Sequence, residues 1–181
     1  MKFTYFFIKN FLNKKEIKKI NSLINKVGKP FNKQAPTVKT SICHTIPYKE
    51  IHKIKDFKSI ISWSNREAFA LDLYENIFDT YDACVRNIYS SKLKGEYKWH
   101  FDAEPHQSNY TIKLTTLINL SEKPYEGGDF FIFDGKKDLI KEFKEPGSVL
   151  IFPSFYLHQV SPVTKGERIT ATIFMTGPKW K

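Results

Sequence analysis

From about position 77 onward, the sequence is a series of short apolar runs separated by turn-forming residues. The runs are rich in β-branched and aromatic residues, and Gly, Pro and Asp lie between them. Many short strands at this spacing are typical of an antiparallel sandwich or barrel. The strands expected from this pattern are 83–89, 110–120, 129–133, 148–152, 157–160 and 168–175.

The first 76 residues show a different, largely helical pattern. Ile17, Ile20, Leu23 and Ile24 recur at helical spacing after Asn13, a residue type that caps helix N-termini, which predicts a helix over 14–26. We also expect a short strand at 3–8, an irregular connection at 29–42, and helices at 48–53, 55–65 and 66–76.

No linker-like composition separates the two parts, so the sequence predicts one domain spanning residues 1–181. Its expected class is α+β, mainly β, with residues 1–76 as a helix-rich support and 77–181 as the β-rich core. Hydrophobic residues make up 41% and charged residues 27%, a balance that indicates a globular chain rather than a disordered one.

Two classes of protein are not expected from the sequence. No apolar run reaches the roughly 20 residues that a membrane span needs, and segment 3–8 is too short for a signal-peptide core. The two cysteines, Cys43 and Cys84, are too few for a disulfide scaffold and are expected to be buried thiols. We therefore predict a cytoplasmic protein without a membrane partner.

The chain is basic, with 29 Lys and Arg residues against 19 Asp and Glu residues and a net charge of +10. Such an excess is compatible with a nucleic-acid partner. However, many of the lysines are spread through 14–26, 49–58 and 136–144, where carboxylates interrupt them. This distribution favours solvated faces over one basic patch, so a nucleic-acid partner is not expected.

Two segments contain residues suited to binding a metal. His100 and Asp102 alternate along an extended segment, so their side chains project from one face. His158 lies within an apolar strand, where an imidazole without a partner is costly. Two histidines and one carboxylate on a single face form the facial triad of non-haem Fe(II) oxygenases. We predict that His100, Asp102 and His158 bind Fe(II).

Arg168 follows His158 by ten positions, across a segment, 161–166, that is typical of a turn. An antiparallel pairing across this turn would set Arg168 opposite His158 and near the metal. Arg168 and Thr170 share one face of their strand, and a guanidinium beside a hydroxyl suits a carboxylate held by two hydrogen bonds. A carboxylate-binding residue beside an iron triad predicts a dicarboxylate oxo-acid cosubstrate.

Several motifs occur in a fixed order along residues 80–175. They comprise a Tyr, a Gly and a second Tyr before His-x-Asp, then a Gly-Gly turn, a Pro-Gly strand, a distal His and a basic residue. The matching residues are Tyr89, Gly95, Tyr97, His100, Asp102, Gly127, Gly128, Pro146, Gly147, His158 and Arg168. With this pattern the segment resembles the prolyl-4-hydroxylase-like branch of the Fe(II)/2-oxoglutarate-dependent oxygenases, which implies a double-stranded β-helix, or jelly-roll, core.

The resemblance also implies a role for each matching residue. His100, Asp102 and His158 would bind Fe(II), and Arg168 would hold the distal carboxylate of 2-oxoglutarate, assisted by Tyr89 and Thr170. The implied reaction is hydroxylation of a C–H bond by O2, with release of succinate and CO2 and with ascorbate as reductant.

The substrate is open at this stage. A prolyl residue in a peptide or protein is the leading expectation, and a free amino acid or another small molecule is the alternative. A nucleic-acid demethylase of the same superfamily would carry a second arginine six positions after Arg168, where this chain has Phe174. A non-catalytic jelly-roll module would be favoured by a degraded ligand set, and the set is intact. Segments 26–51 and 103–110 are expected to flank the mouth of the cleft.

Overall fold

Antiparallel strands dominate the part of the chain that the computed structural model describes, which is residues 3–30, 38–71, 84–103, 105–106 and 110–180. Three helices precede most of them: α1 (Lys14–Val27), α2 (Tyr48–His52) and α3 (Phe57–Ser64). The strands are β1 (Phe6–Ile8), β2 (Lys29–Pro30), β3 (Lys39–Thr40), β4 (Ile42–Ile46), β5 (Cys84–Ser90), β6 (Glu96–His100), β7 (Pro105–His106), β8 (Tyr110–Asn119), β9 (Glu126–Gly127), β10 (Phe130–Phe133), β11 (Lys137–Leu139), β12 (Val149–Pro153), β13 (Leu157–Val160), β14 (Val163–Lys165) and β15 (Glu167–Pro178).

Most strands belong to two sheets. The major sheet has the order β1-β12-β8-β15-β5-β4-β2, with β7 also paired to β8, and the minor sheet has the order β11-β10-β13-β6-β3. Leu117, Leu150 and Phe152 of the major sheet pack in one cluster with Phe130 and Val160 of the minor sheet. The two sheets therefore face each other across a shared interior, which confirms the predicted double-stranded β-helix core.

The outer face of the major sheet is covered by helices. Helix α1 begins with a capping box, in which Asn13 accepts from the backbone of Glu16 and the Glu16 side chain accepts from the backbone of Asn13. Its apolar face, which includes Ile17, Ile20 and Ile24, packs in one core cluster with residues of β8, β12 and β15. The predicted helix and its burial are thus confirmed.

The expectation of an irregular connection at 29–42 is wrong in part. Strands β2 and β3 lie within this segment, and β4 begins at its last residue and pairs with β5. These short strands are held by partners far away in sequence, so local patterning gives little sign of them. The helix expected at 66–76 is a single π-helical turn over Asn65–Phe69, and residues 72–76 lie outside the described residues.

The predicted pairing of the His158 strand with the Arg168 strand is also wrong. Strand β13 pairs with β10 and β6 in the minor sheet, whereas β15 pairs with β5 and β8 in the major sheet. The intervening residues form β14, which pairs with β9. Because consecutive strands of a jelly roll alternate between sheets, His158 and Arg168 line the interior from opposite sides.

The structure also bears on the predictions about cysteine and membrane. Cys43 and Cys84 are both buried thiols. None of the helices among the described residues combines the length and the apolar character that crossing a membrane requires.

Candidate metal centre and cosubstrate cavity

The three predicted metal ligands lie together on the minor sheet. His100 at the end of β6 pairs in register with His158 on β13, and Asp102 follows two residues later. The distance from His100 Nε2 to Asp102 Oδ1 is 3.7 Å, and that from His158 Nε2 to Asp102 Oδ2 is 3.4 Å. One donor atom from each residue lies within 4.8 Å of the others. We call His100, Asp102 and His158 the metal triad.

Backbone contacts orient both imidazoles of the metal triad. His100 Nδ1 lies 2.7 Å from the carbonyl oxygen of Lys98, and His158 Nδ1 lies 2.9 Å from that of Tyr156. Because a carbonyl can only accept, each Nδ1 is the protonated nitrogen, and in the neutral ring each Nε2 presents a lone pair. Burial and the nearby His158 lower the pKa of His100 to about 3, which favours its neutral form.

The Asp102 carboxylate is held by its own set of hydrogen bonds. Thr115 Oγ1 donates to Asp102 Oδ2 at 2.9 Å, and the backbone N–H of Asp102 donates to the carbonyl of Ser154 at 2.8 Å. Burial alone would raise the pKa of Asp102, but His158, His100 and the Thr115 hydroxyl together lower it. The triad therefore turns a carboxylate and two imidazole lone pairs toward one point, a donor set that suits Fe(II).

A cavity of about 320 Å³ lies beside the metal triad, between the two sheets. Phe130 packs against the His158 ring and, with Val160 and Leu117, gives the cavity an apolar wall. The residues that line it are Lys39, Val85, Asn87, Tyr89, Tyr97, His100, Phe101, Asp102, Ile112, Leu117, Phe130, His158, Val160, Arg168, Thr170, Thr172 and Phe174. All six residues predicted to form the site thus border one cavity.

Arg168 lies in this cavity as a buried cation, with only 1% of its surface exposed. Its Nη1 donates weakly to Thr170 Oγ1 at 3.5 Å, and its guanidinium lies between the rings of Tyr89 and Phe143, 5.2 and 5.6 Å from their centroids. Its Nη2 has no hydrogen-bond partner, and no carboxylate in the described ranges forms an ion pair with it. A buried guanidinium in this condition is stabilised by an anionic ligand.

A close backbone approach positions the Arg168 side chain. Gly128 has a φ of +61°, and a Cβ at this position would lie 3.0 Å from Arg168 Cδ. Any larger residue would therefore be strained in its backbone and would press on the arginine. The Gly-Gly turn predicted from the sequence thus has a direct structural role in the cavity.

Tyr89, Thr170 and Phe174 occupy the positions on β5 and β15 that face the cavity. Tyr89 pairs in register with Arg168, and burial raises the pKa of its hydroxyl, which stays protonated and able to donate. Phe174 contributes an aromatic ring to the lining, so the second arginine typical of the demethylase branch is replaced by an apolar wall.

Lys39 is a charged residue of the cavity that was not predicted from the sequence. It lies on β3, where its Nζ donates to Asn87 Oδ1 at 2.7 Å and stands 4.8 Å from the centroid of the Tyr97 ring. Burial lowers the pKa of this lysine. Nothing in the local sequence distinguishes Lys39 from the many solvated lysines, because its placement depends on the pairing of β3 with β6.

A family model described as the 2OG-Fe(II) oxygenase superfamily matches residues 85–176, a range that contains the metal triad, Arg168 and most of the cavity lining. The chain belongs to this superfamily. The resemblance found from the motifs is therefore confirmed at the level of the family.

Individual relatives point to the same branch. The chain is 40% identical over 91 residues to a PKHD-type hydroxylase of Synechococcus sp. (strain CC9605), a match that covers 46% of this chain and 40% of the relative. The chain thus spans less than half the length of the curated relatives it matches.

Two solved structures share the fold over nearly the whole chain. The viral collagen prolyl hydroxylase of Paramecium Bursaria Chlorella virus-1 in its 2OG complex has a TM-score of 0.70 at 18% identity, with 97% of each chain covered. A prolyl hydroxylase from Trichoplax adhaerens in complex with a hypoxia inducible factor peptide fragment has a TM-score of 0.71 at 18% identity, covering 95% of this chain and 83% of that one. These similarities confirm the predicted fold.

Proposed function

We propose that this chain is an Fe(II)- and 2-oxoglutarate-dependent dioxygenase that hydroxylates a C–H bond of a prolyl residue in a peptide or protein. The observation that supports this most is the pairing, in one cavity, of the metal triad with a buried, unpaired guanidinium. The overall reaction would convert the substrate, 2-oxoglutarate and O2 into the hydroxylated product, succinate and CO2.

His100, Asp102 and His158 would hold the iron through three of its coordination positions. Fe(II) bound there would supply the activation of O2 that the oxidative decarboxylation of 2-oxoglutarate requires. The protein orients the donors in advance, because the carbonyls of Lys98 and Tyr156 fix the two imidazoles. Ascorbate would serve as a reductant that keeps the metal in its ferrous state.

Arg168 would bind the distal carboxylate of 2-oxoglutarate. Its Nη2 is available for this, and the Tyr89 and Thr170 hydroxyls lie on the same wall to add further hydrogen bonds. Because Arg168 is on the major sheet and the metal triad is on the minor sheet, a bound dicarboxylate would bridge the two. The apolar wall that includes Phe130 and Leu117 would keep bulk water away from the reacting centre.

A prolyl peptide as substrate is supported by the relatives, and the size of the site fits a peptide that inserts a single side chain. The curated relative is a PKHD-type hydroxylase, and one structural neighbour holds a peptide fragment. A cavity of about 320 Å³ is at the small end of ligand sites, so with 2-oxoglutarate bound it suits one side chain rather than a whole peptide. We expect the peptide to lie across the mouth, between segments 26–51 and 103–110, of which 31–37, 104 and 107–109 are outside the described residues.

The decisive test is succinate release in the presence of Fe(II), 2-oxoglutarate and ascorbate. We expect prolyl peptides to stimulate release, and His158→Ala to remove the stimulation. Stimulation by free L-proline or another small molecule but not by peptides would contradict the peptide substrate. Stimulation by methylated oligonucleotides alone would instead support a demethylase. Failure of 2-oxoglutarate to bind the metal-loaded protein would contradict the whole proposal.

A further inference from the structure

Lys39 supplies a second cation to the cavity, and its contacts differ from those of the surface lysines. Several surface lysines pair with carboxylates, as Lys144 does with Asp129 at 2.7 Å and Lys165 with Glu126 at 2.9 Å. Lys39 instead contacts the Asn87 amide oxygen, the Cys43 sulfur and the Tyr97 ring.

The electrostatic surroundings of Lys39 lack a dedicated counter-charge. Within the part of the chain that the structure describes, no ion pair joins Lys39 to a carboxylate. The Cys43 thiol group and, after it, the Asp102 carboxylate are the acidic groups that act on Lys39. Asp102 belongs to the metal triad, so its charge is offset once a divalent metal is held there. A cation that lines a cavity and has no carboxylate paired with it attracts an anionic ligand.

Lys39 and Arg168 mark two separate positions along the cavity. Arg168 lies against Tyr89, and Lys39 lies against Asn87, which is two residues earlier on β5 and points to the same side. Positions i and i+2 of a strand are roughly 7 Å apart, so the two cations are placed for two different anionic groups. A 2-oxoglutarate molecule held by Arg168 and the metal would use both of its carboxylates, which leaves Lys39 for another molecule.

We propose that Lys39 is a specificity-determining residue that binds a carboxylate of the molecule to be hydroxylated. This rests on the proposed function and narrows its substrate class to prolyl compounds with an acidic group beside the target ring. The group is an adjacent Asp or Glu side chain, or the C-terminal carboxylate of the proline itself.

The test uses isosteric probe pairs that differ only in a carboxylate and an amide. The first pair is acetyl-prolyl-aspartate amide and acetyl-prolyl-asparagine amide, and the second is acetyl-proline and acetyl-prolinamide. Binding is measured by calorimetry on the zinc-loaded protein, with and without 2-oxoglutarate. We expect the carboxylate member of at least one pair to bind about tenfold or more tightly than its amide.

Variants assign that preference to one lysine. Lys39→Met should abolish it and Lys39→Arg should retain it. Asn87→Asp should also abolish it, because the new carboxylate would pair with Lys39 while leaving the lysine in place. Lys137→Met, at an exposed lysine on the minor sheet, is the control and should leave the preference unchanged. If Lys39→Met does not fold, the Arg and Asp variants still decide the outcome.

Four results would each overturn the proposal. In the first three, no carboxylate probe binds, the wild type shows no preference for carboxylate over amide probes, or that preference persists in Lys39→Met. A fourth is that Lys39→Met weakens 2-oxoglutarate binding as much as Arg168→Met does, since Lys39 would then belong to the cosubstrate site. Failure of the proposed function is separate. If the proposed function is wrong, the wild-type protein does not bind 2-oxoglutarate. The carboxylate preference of the probes is measured without 2-oxoglutarate as well, so that failure leaves the test of Lys39 intact.

Discussion

Replacing Arg168 with methionine should remove the main attraction of the cavity for 2-oxoglutarate while keeping the length and apolar stem of the side chain. The guanidinium is 1% exposed, so a carboxylate bound to it is largely shielded from water. Losing a desolvated charge pair of this kind costs about 2–5 kcal/mol. At about 1.4 kcal/mol per tenfold change, the Kd should rise by about 30-fold to 4,000-fold.

Calorimetry on the zinc-loaded protein isolates this effect from turnover, because zinc binds the same donor types without redox chemistry. A second ligand, 2-oxopentanoate, has the same oxo-acid end but a methyl group in place of the distal carboxylate. The wild type should bind 2-oxoglutarate about 30-fold to 4,000-fold more tightly than 2-oxopentanoate. Arg168→Met should bind the two ligands within about twofold of each other. Arg168→Lys should recover part of the preference, because lysine restores the charge but not the two-pronged geometry.

The same substitution should have the opposite effect on the stability of the ligand-free protein. A buried guanidinium without a carboxylate partner is destabilising, even though the Tyr89 and Phe143 rings offset part of its cost. The melting temperature of ligand-free Arg168→Met should therefore equal or exceed that of the wild type. If the variant melts several degrees lower, or still prefers 2-oxoglutarate over 2-oxopentanoate, Arg168 is a structural residue and our assignment of the carboxylate site is wrong.

Three further predictions concern the support of the metal triad, the support of Arg168 and the bound metal. Thr115→Val removes the hydrogen bond to the triad carboxylate and should weaken zinc binding by about 10-fold to 100-fold in a competition titration. Thr116→Val, at a buried hydroxyl with no partner among the described residues, should leave zinc binding unchanged. Gly128→Ala should weaken 2-oxoglutarate binding, because the added Cβ would clash with the Arg168 side chain. Gly135 has a similar φ of +72° but no neighbour within 4 Å, so Gly135→Ala should leave this binding unchanged. Removing the metal with a chelator should lower the melting temperature of the wild type but not of His158→Ala, because a ligand that binds only the folded state stabilises it.

The predictions that succeeded from sequence rest on local periodicity. The helix was predicted over 14–26, one residue short of its observed end, because its capping residue and apolar stripe lie within one short window. His100 and Asp102 could be placed on one face because the period of a strand is fixed by its backbone. Strand β13 was predicted with its observed bounds, since it is a short run with an apolar residue at each end, placed between turns.

The predictions that failed concern which strands pair. The segment between His158 and Arg168 looked like a hairpin turn, and its length and composition allow one. In the structure the same residues form β14, whose partner β9 is more than 30 positions earlier. Pairing at that range depends on the closure of the whole barrel, so no local pattern could have indicated it.

The consequence for function is that the correct residues were predicted with an incorrect reason for their proximity. A hairpin would place Arg168 beside His158 within one sheet, where a dicarboxylate would lie along the strands. Placing Arg168 on the opposite sheet makes the ligand span the interior, so its binding would couple the two sheets. Near the cavity, the chain crosses from the minor to the major sheet between Lys39 and Ile42. That crossing places Lys39 beside Asn87. The residue that we propose to bind the substrate carboxylate can therefore be recognised only from the folded structure.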